Sequence, residues 1–135
     1  MAVRSYGNSA GHVISQIVFT NIGTRSCQLR GYPGVSTVGH GNGTQIGAAA
    51  TRESQDVATV TLASGSSNVN AILQAVNIRT TGGPLGDKCP TASADGYRIY
   101  PPHSTTAVFV RSTNLRACTS STAWMTIAPV TDNPK

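Results

Sequence analysis

The chain has 135 residues and a formal net charge of +5, and 39% of its residues are hydrophobic but only 11% are charged. This length suits one core of ordinary size, so we predict a single domain over residues 1–135. Ordinary hydrophobic content with modest net charge excludes an intrinsically disordered chain, and no stretch of sequence approaches the roughly 20 apolar residues of a membrane-spanning helix.

Short β-branched runs bounded by Gly, Pro, Asn or Ser recur along the chain, without a sustained helical period. We predict strands at residues 2–6, 12–21, 27–31, 34–38, 45–48, 57–63, 67–79, 96–100, 105–111 and 122–130. Short strands at this spacing predict an all-β sandwich of two antiparallel sheets.

Two segments need separate treatment. Residues 39–44 contain Asn42-Gly43, a dipeptide that tolerates the positive φ of a type I′ turn, so we predict a hairpin with that turn. Residues 67–79 also match a helical face. We prefer a strand there because apolar residues alternate and because a lone long helix fits poorly in an all-β chain.

Two irregular stretches, residues 80–94 and 111–121, read as loops, and each contains a cysteine flanked by polar, turn-forming residues. A disulfide between Cys89 and Cys118 would close about 30 residues and contribute about 3–4 kcal/mol in the chain-entropy model. Such a bond indicates an oxidising compartment. We therefore predict an exported protein with a disulfide-tied loop region that presents a binding surface.

Cys27 has no partner in this scheme, because the chain holds three cysteines. Two interpretations stay open: a buried small hydrophobe, or one half of a disulfide whose partner lay in an upstream segment. Met1 and Ala2 run directly into a predicted strand, and the chain start lacks the layout of a signal peptide. We therefore expect that an export leader has been removed from the natural protein.

Alternation within residues 96–100 places Tyr97 and Ile99 on one face of the strand, and Arg98 and Tyr100 on the other. Arg98, Tyr100 and Arg116 form our candidate recognition patch. The arginines are scattered singly, which argues against nucleic-acid binding. We expect an envelope protein or a glycan as the partner.

No G-x-S-x-G elbow and no metal-ligand spacing occurs in the sequence, so we predict no catalytic residue, metal or cofactor. The alternative is a small extracellular hydrolase or metal-dependent enzyme whose site assembles only in three dimensions. Such a site would use His103 and Asp95 near the Pro101-Pro102 corner.

Several runs together resemble a known family, and the most specific is Cys27-Gln28-Leu29-Arg30-Gly31-Tyr32-Pro33-Gly34-Val35. The others lie at residues 18–21, 46–47, 50–53, 60–62, 94–102 and 107–110, with Cys89 and Cys118. Over nearly the whole chain these residues resemble the exported actinobacterial domains grouped as domain of unknown function 4232, many of which are lipoproteins.

The resemblance implies an immunoglobulin-like sandwich in a secreted or cell-envelope protein, attached to a membrane only through a lipid anchor outside this chain. It implies no activity. Members often carry a further cysteine before the first strand, which would pair with the one matching Cys27, and this chain lacks it. We expect a non-catalytic envelope or secreted module with a protein-binding, glycan-binding or structural role.

Overall fold

A computed structural model describes residues 1–9, 11–78 and 83–132. Its strands are β1 Ala2–Ser9, β2 His12–Phe19, β3 Cys27–Arg30, β4 Gly34–Gly39, β5 Thr44–Ile46, β6 Thr51–Arg52, β7 Thr59–Leu62, β8 Val69–Val76, β9 Thr91–Tyr100, β10 Val108–Cys118 and β11 Met125–Ile127. A short 3₁₀ segment spans Gly83–Lys88. The all-β prediction is confirmed. Within the described ranges no helix is long and apolar enough to span a membrane.

The strands form a large sheet in the order β1-β2-β8-β11-β6, a small sheet in the order β10-β9-β4-β5, and a separate β3-β7 pair. Neighbouring strands are antiparallel except for the short β11-β6 pair. One hydrophobic core contains inward residues of both larger sheets, including Ile17 and Leu73 from the large sheet and Ile99 from the small sheet. This packing is compatible with an immunoglobulin-like sandwich.

Strand β8 confirms the strand prediction for residues 69–76, whereas residue 79 lies outside the described part of the chain. It pairs with β2 in continuous antiparallel register from Phe19 opposite Val69 to His12 opposite Val76. Val69 and Leu73 are almost fully buried. The strand interpretation is therefore correct and the helical one is not. As a strand, this segment buries side chains such as Val69 and Leu73 in the core, and full burial of each contributes about 1.5–3 kcal/mol.

The predicted hairpin is present between β4 and β5, but the prediction of a type I′ turn at Asn42-Gly43 is wrong, because the two consecutive positive φ angles fall at His40 and Gly41. Gly39 pairs with Thr44, so the loop has four residues, and positive φ angles fall at His40 (62°), Gly41 (71°) and Gly43 (77°). Asn42 acts through its side chain instead: its Oδ1 accepts hydrogen bonds from the Thr44 amide at 3.1 Å and from Thr44 Oγ1 at 2.6 Å.

The first predicted loop, residues 80–94, is wrong only at its end, where β9 begins at Thr91. Most of the second, residues 111–121, is wrong, because β10 extends to Cys118. Pairing between these strands breaks between Arg111 and Leu115 and resumes with Leu115 opposite Ala94. This bulge interrupts the alternation of apolar residues, which is why the sequence pattern hides the strands. Residues 80–82 of the first predicted loop lie outside the described ranges.

Candidate functional site

A cleft of about 600 Å³ opens beside the ends of β3 and β9, and we call it the arginine–tyrosine cleft. Its polar and aromatic walls are Arg30, Tyr32, Arg52, Tyr100 and His103. Gly31, Gly34, Val57, Pro101 and Ser104 complete the lining. No Asp or Glu is among these described lining residues, so the cleft presents cationic and aromatic groups.

Three separate runs of sequence meet at this cleft. Arg30 is the last residue of β3, and the following turn carries Tyr32 into β4. Arg52 belongs to the short strand β6, and Tyr100 ends β9 just before the Pro101-Pro102 corner. These segments belong to the runs 27–35, 50–53 and 94–102 that carry the family resemblance.

Tyr32 and Arg52 hold each other in place. The Tyr32 hydroxyl donates a hydrogen bond to the Glu53 carbonyl, and the Arg52 guanidinium carbon lies 5.2 Å from the centre of the Tyr32 ring. The Glu53 carboxylate accepts hydrogen bonds from Thr126 Oγ1 at 2.9 Å and from Gln55 Nε2 at 2.7 Å, and it forms no ion pair with Arg52 in the described structure. Arg52 is thus positioned by an aromatic ring, a contact that leaves its guanidinium N–H groups available.

Two side chains of the cleft wall, Tyr100 and His103, lie beside the glycines of the turn. A Cβ atom at Gly34 would lie 3.4 Å from the Tyr100 ring, and one at Gly31 would lie 3.7 Å from His103 Nε2. His103 itself has a φ of 61°, a left-handed conformation that is uncommon for residues other than glycine. The distances at Gly34 and Gly31 are those of ordinary van der Waals contact, so Tyr100 and His103 pack beside the Gly-Tyr-Pro-Gly turn as one wall, and the φ of 101° at Gly31 is what favours glycine there.

The charge of the cleft is not neutralised locally. Arg30 donates a hydrogen bond to Thr59 Oγ1 at 3.2 Å, and in the described part of the chain neither Arg30 nor Arg52 pairs with a carboxylate. Guanidinium groups bind carboxylates and phosphates through paired N–H donors. Half-buried tyrosine rings add apolar faces against which a ligand can pack.

The predicted recognition patch is divided by the structure. Arg98 and Tyr100 share the outer face of β9, but Tyr100 lines the cleft while Arg98 donates to Gln45 Oε1 at 2.7 Å. Arg116 lies opposite Ser93 and donates to Ser93 Oγ at 3.1 Å and to Thr91 Oγ1 at 2.7 Å. The register separates Arg116 from Arg98 by about 16 Å along the strand.

Sequence reasoning missed the contribution of Arg30, Tyr32 and Arg52. The available signal was the run from Cys27 to Val35, in which two glycines flank Tyr-Pro. That spacing indicates a turn with close backbone approach. Nothing in the local sequence shows that β6 and the end of β9 lie beside this turn.

The predicted Cys89–Cys118 disulfide is confirmed, with a Cα–Cα distance of 4.9 Å. Both cysteines are buried, and Cys118 ends β10 instead of lying in a loop. Cys27 is a free, exposed thiol at the start of β3, opposite Leu62 of β7. The buried interpretation of Cys27 is wrong, because its side chain is exposed; its pairing with an upstream cysteine stays a prediction.

The structure does not bring His103 and Asp95 together. His103 lines the cleft, whereas Asp95 lines a different groove, where its carboxylate accepts a hydrogen bond from the Gly41 amide at 2.8 Å. Over residues 1–9, 11–78 and 83–132, no group of three or more His, Cys, Asp or Glu side chains is arranged to hold a metal ion.

A family model described as a domain of unknown function, DUF4232, matches residues 1–131. The chain belongs to this family. No curated protein and no solved structure matches the chain. The family assignment agrees with the resemblance noted from the sequence and carries no activity with it.

Proposed function

We propose that this DUF4232 chain is a non-catalytic, exported module of the cell envelope or its surroundings that binds an acidic glycan in the arginine–tyrosine cleft. The single observation that supports this function is the cleft wall itself. Arg30 and Arg52 lie beside the rings of Tyr32 and Tyr100, and neither arginine is paired with a carboxylate in the described part of the chain.

The ligand class follows from this combination of groups. A uronic acid or a phosphorylated sugar offers an anion for the guanidinium groups and a C–H face for an aromatic ring. The net charge of +5 favours anionic surroundings over neutral ones.

The exported location is supported by the buried Cys89–Cys118 disulfide, since such bonds persist in oxidising compartments. Non-reducing peptide mapping of the natural protein from culture medium, envelope and cytosol tests this part of the proposal. An oxidised pair in the medium or envelope fraction is the expected result. Free thiols in a cytosolic protein would reject the exported location.

Binding is tested by calorimetric titration with alginate oligosaccharides, which carry one carboxylate per sugar, and with neutral dextran oligosaccharides of the same length. We expect alginate to bind and dextran not to bind. Affinity should fall steeply as salt rises, because the contacts are ionic. Poly-glutamate serves as the acidic protein-like competitor, and tighter binding of poly-glutamate would replace the glycan with an acidic peptide.

The decisive variant is Arg30→Gln combined with Arg52→Gln, which we expect to weaken alginate binding at least tenfold. The charge-matched control is Arg25→Gln combined with Arg111→Gln, two exposed arginines that do not line the cleft. Equal losses in the two double variants would show that net charge, and not the cleft, attracts the glycan. That result would overturn the assignment of the site.

A further inference from the structure

A second cavity lies between the two larger sheets, and we call it the inter-sheet cavity. Its volume is about 310 Å³. Strands β1 and β10 are the outermost strands of the large and small sheets, and both contribute to its wall. The cavity therefore opens where the two sheet edges lie side by side without a ladder between them. Most of its wall is apolar and includes Val3, Val13, Leu73, Ala75, Ile78 and Trp124.

The bulge in β10 positions this opening. Between Arg111 and Leu115 three residues of β10 stand opposite Asp95 of β9, and two of them, Ser112 and Thr113, line the cavity. A bulge bends its strand and increases the local twist. The bend lets the polar rim of Ser112 and Thr113 meet the apolar interior, which is the layout of a site for an amphiphilic molecule.

Two residues that line the cavity, Trp124 and Arg116, each carry a buried donor nitrogen that has no acceptor among the described residues. The Trp124 side chain is 5% exposed, and its indole Nε1–H has no hydrogen-bond partner among the described residues. Arg116 Nε is likewise buried and unpartnered in the described structure, although its two terminal nitrogens bind Ser93 and Thr91. A buried donor without an acceptor costs about 1–3 kcal/mol.

We propose that the inter-sheet cavity binds a medium-chain aliphatic carboxylate, with the chain among the apolar residues and the carboxylate at Trp124 and Arg116. The volume holds about ten groups of water size, at about 30 Å³ each, which matches an acyl chain of that length. The described residues that line the cavity include the cationic side chain of Arg116 but no Asp or Glu, so a ligand with an anionic head group is favoured over one with a cationic head group. Both donor nitrogens are shielded from solvent, so the side chains of Trp124 and Arg116 must move apart for the carboxylate to reach them.

This site is independent of the arginine–tyrosine cleft. Tyr97 is the residue of β9 that lines the cavity, whereas Tyr100 lines the cleft. Residues at odd and even positions of a strand point to opposite faces. The two sites therefore lie on opposite faces of one strand, and either can fail without the other.

Trp124 is the only tryptophan of the chain, so its fluorescence reports directly on the cavity. Titration of the full chain with 11-bromoundecanoic acid, kept below its micelle concentration, should quench this fluorescence saturably and with one-to-one stoichiometry. Bromoacetate, which has the head group without the chain, should not quench saturably. 11-Bromoundecanol, which has the chain without the anion, should bind at least fivefold more weakly.

Cavity filling localises the effect. Ala75→Leu places a larger side chain on the cavity wall and should weaken quenching by 11-bromoundecanoic acid at least tenfold. Ala63→Leu makes the same change at an exposed residue outside the wall and should leave it unchanged. Ser15→Met fills the cavity from β2 and serves in place of Ala75→Leu if that variant does not melt cooperatively.

The donor is tested with Trp124→Phe, using the fluorescence of 11-(dansylamino)undecanoic acid. We expect this variant to bind the carboxylate threefold to tenfold more weakly and to bind the matching alcohol unchanged. Absence of saturable quenching in the natural sequence would overturn the proposal, as would equal affinity in Ala75→Leu and Ala63→Leu. Binding of acid and alcohol with equal affinity would overturn the assigned head group. In the Arg30→Gln, Arg52→Gln double variant, 11-bromoundecanoic acid should quench Trp124 fluorescence as it does in the natural sequence. Failure of the glycan proposal is therefore distinguishable from failure of the carboxylate proposal.

Discussion

The arginine–tyrosine cleft and the inter-sheet cavity are built from opposite faces of β9. The cleft collects exposed cations and half-buried rings around a glycine turn, and hydrogen bonds from Tyr32 and Arg30 hold its wall. The cavity collects inward apolar positions of both sheets, near the bulge of β10. The comparison shows that one sandwich can bind a polar ligand on its outside and an apolar ligand between its sheets, because strand alternation keeps the two chemistries apart.

The largest expected effect concerns the disulfide that ties the start of β9 to the end of β10. Replacing Cys89 and Cys118 with alanine removes a bond between residues separated by 29 positions, and unfolding free energy should fall by about 3–4 kcal/mol. Urea denaturation measures the loss. Binding of 11-bromoundecanoic acid should weaken more than alginate binding, because both strands line the inter-sheet cavity.

Wild-type protein in reducing agent is the control for the cysteine variant and should show a similar loss of stability. A loss below about 1 kcal/mol in both would mean that the sheets hold β9 and β10 without the covalent bond. Equal weakening of the two ligands would mean that the disulfide stabilises the whole domain uniformly.

Gly96→Ala should produce the next largest effect, a loss of about 2–3 kcal/mol in unfolding free energy. A Cβ atom at Gly96 would lie 2.1 Å from the Val110 carbonyl oxygen, so the strands would have to separate beside the bulge. Gly41→Ala is the control, since a Cβ there meets nothing within 4 Å and only its φ of 71° is unfavourable. Equal losses in the two variants would show that the crowding at Gly96 relaxes freely.

Alkaline pH should lower the unfolding free energy through Tyr97, a residue that lines the inter-sheet cavity. Burial raises the pKa of Tyr97 above its ordinary value of about 10. Above pH 10 the unfolded chain releases this proton first, so stability is fully present below that pH and is lost as pH rises further. Unfolding free energy measured from pH 7 to 11 should decline less steeply in Tyr97→Phe, by up to about 1.4 kcal/mol per pH unit. Identical slopes would contradict this account.

The smallest expected effect separates a structural arginine from a binding one. Arg98→Ala should lower unfolding free energy by about 1 kcal/mol, because its side chain donates to Gln45 and to the Gly43 carbonyl. Arg30→Ala, which loses one exposed hydrogen bond, should lower it by less than about 0.5 kcal/mol. Alginate affinity should fall more in Arg30→Ala than in Arg98→Ala, the reverse of the order in stability. A larger loss of affinity in Arg98→Ala would mean that Arg98 belongs to the binding surface.

Much of the fold could be predicted wherever local pattern and tertiary environment agree. The alternation of residues 97–100 matches the structure: Tyr97 and Ile99 are buried, and Arg98 and Tyr100 are partly exposed. The hairpin at residues 39–44 was predictable from its glycines, whereas its four-residue loop was not. The Asn42 side chain accepts hydrogen bonds from Thr44, two residues further on, and the preference of the Asn-Gly dipeptide for a turn does not predict that contact.

The sites were predictable only in part. Tyr100 was identified as an outward-facing residue, and it lines the cleft. Arg98 donates to Gln45 on the outer face, whereas Arg116 lines the inter-sheet cavity and uses its two terminal nitrogens to bind Ser93 and Thr91. Sequence alone cannot distinguish an arginine that is available from one that is engaged, since the partners come from other strands.

By itself the sequence determined the all-β class, the family and the pairing of Cys89 with Cys118, because these depend on period-two patterns, recurrent runs and the small number of cysteines. The tertiary structure alone decided that β3, β6 and the end of β9 meet in one cleft. It also decided that Trp124 and Arg116 face a shared cavity beside a bulge. The physical reason is that strand order and register arise from long-range packing, which no short stretch of the chain encodes.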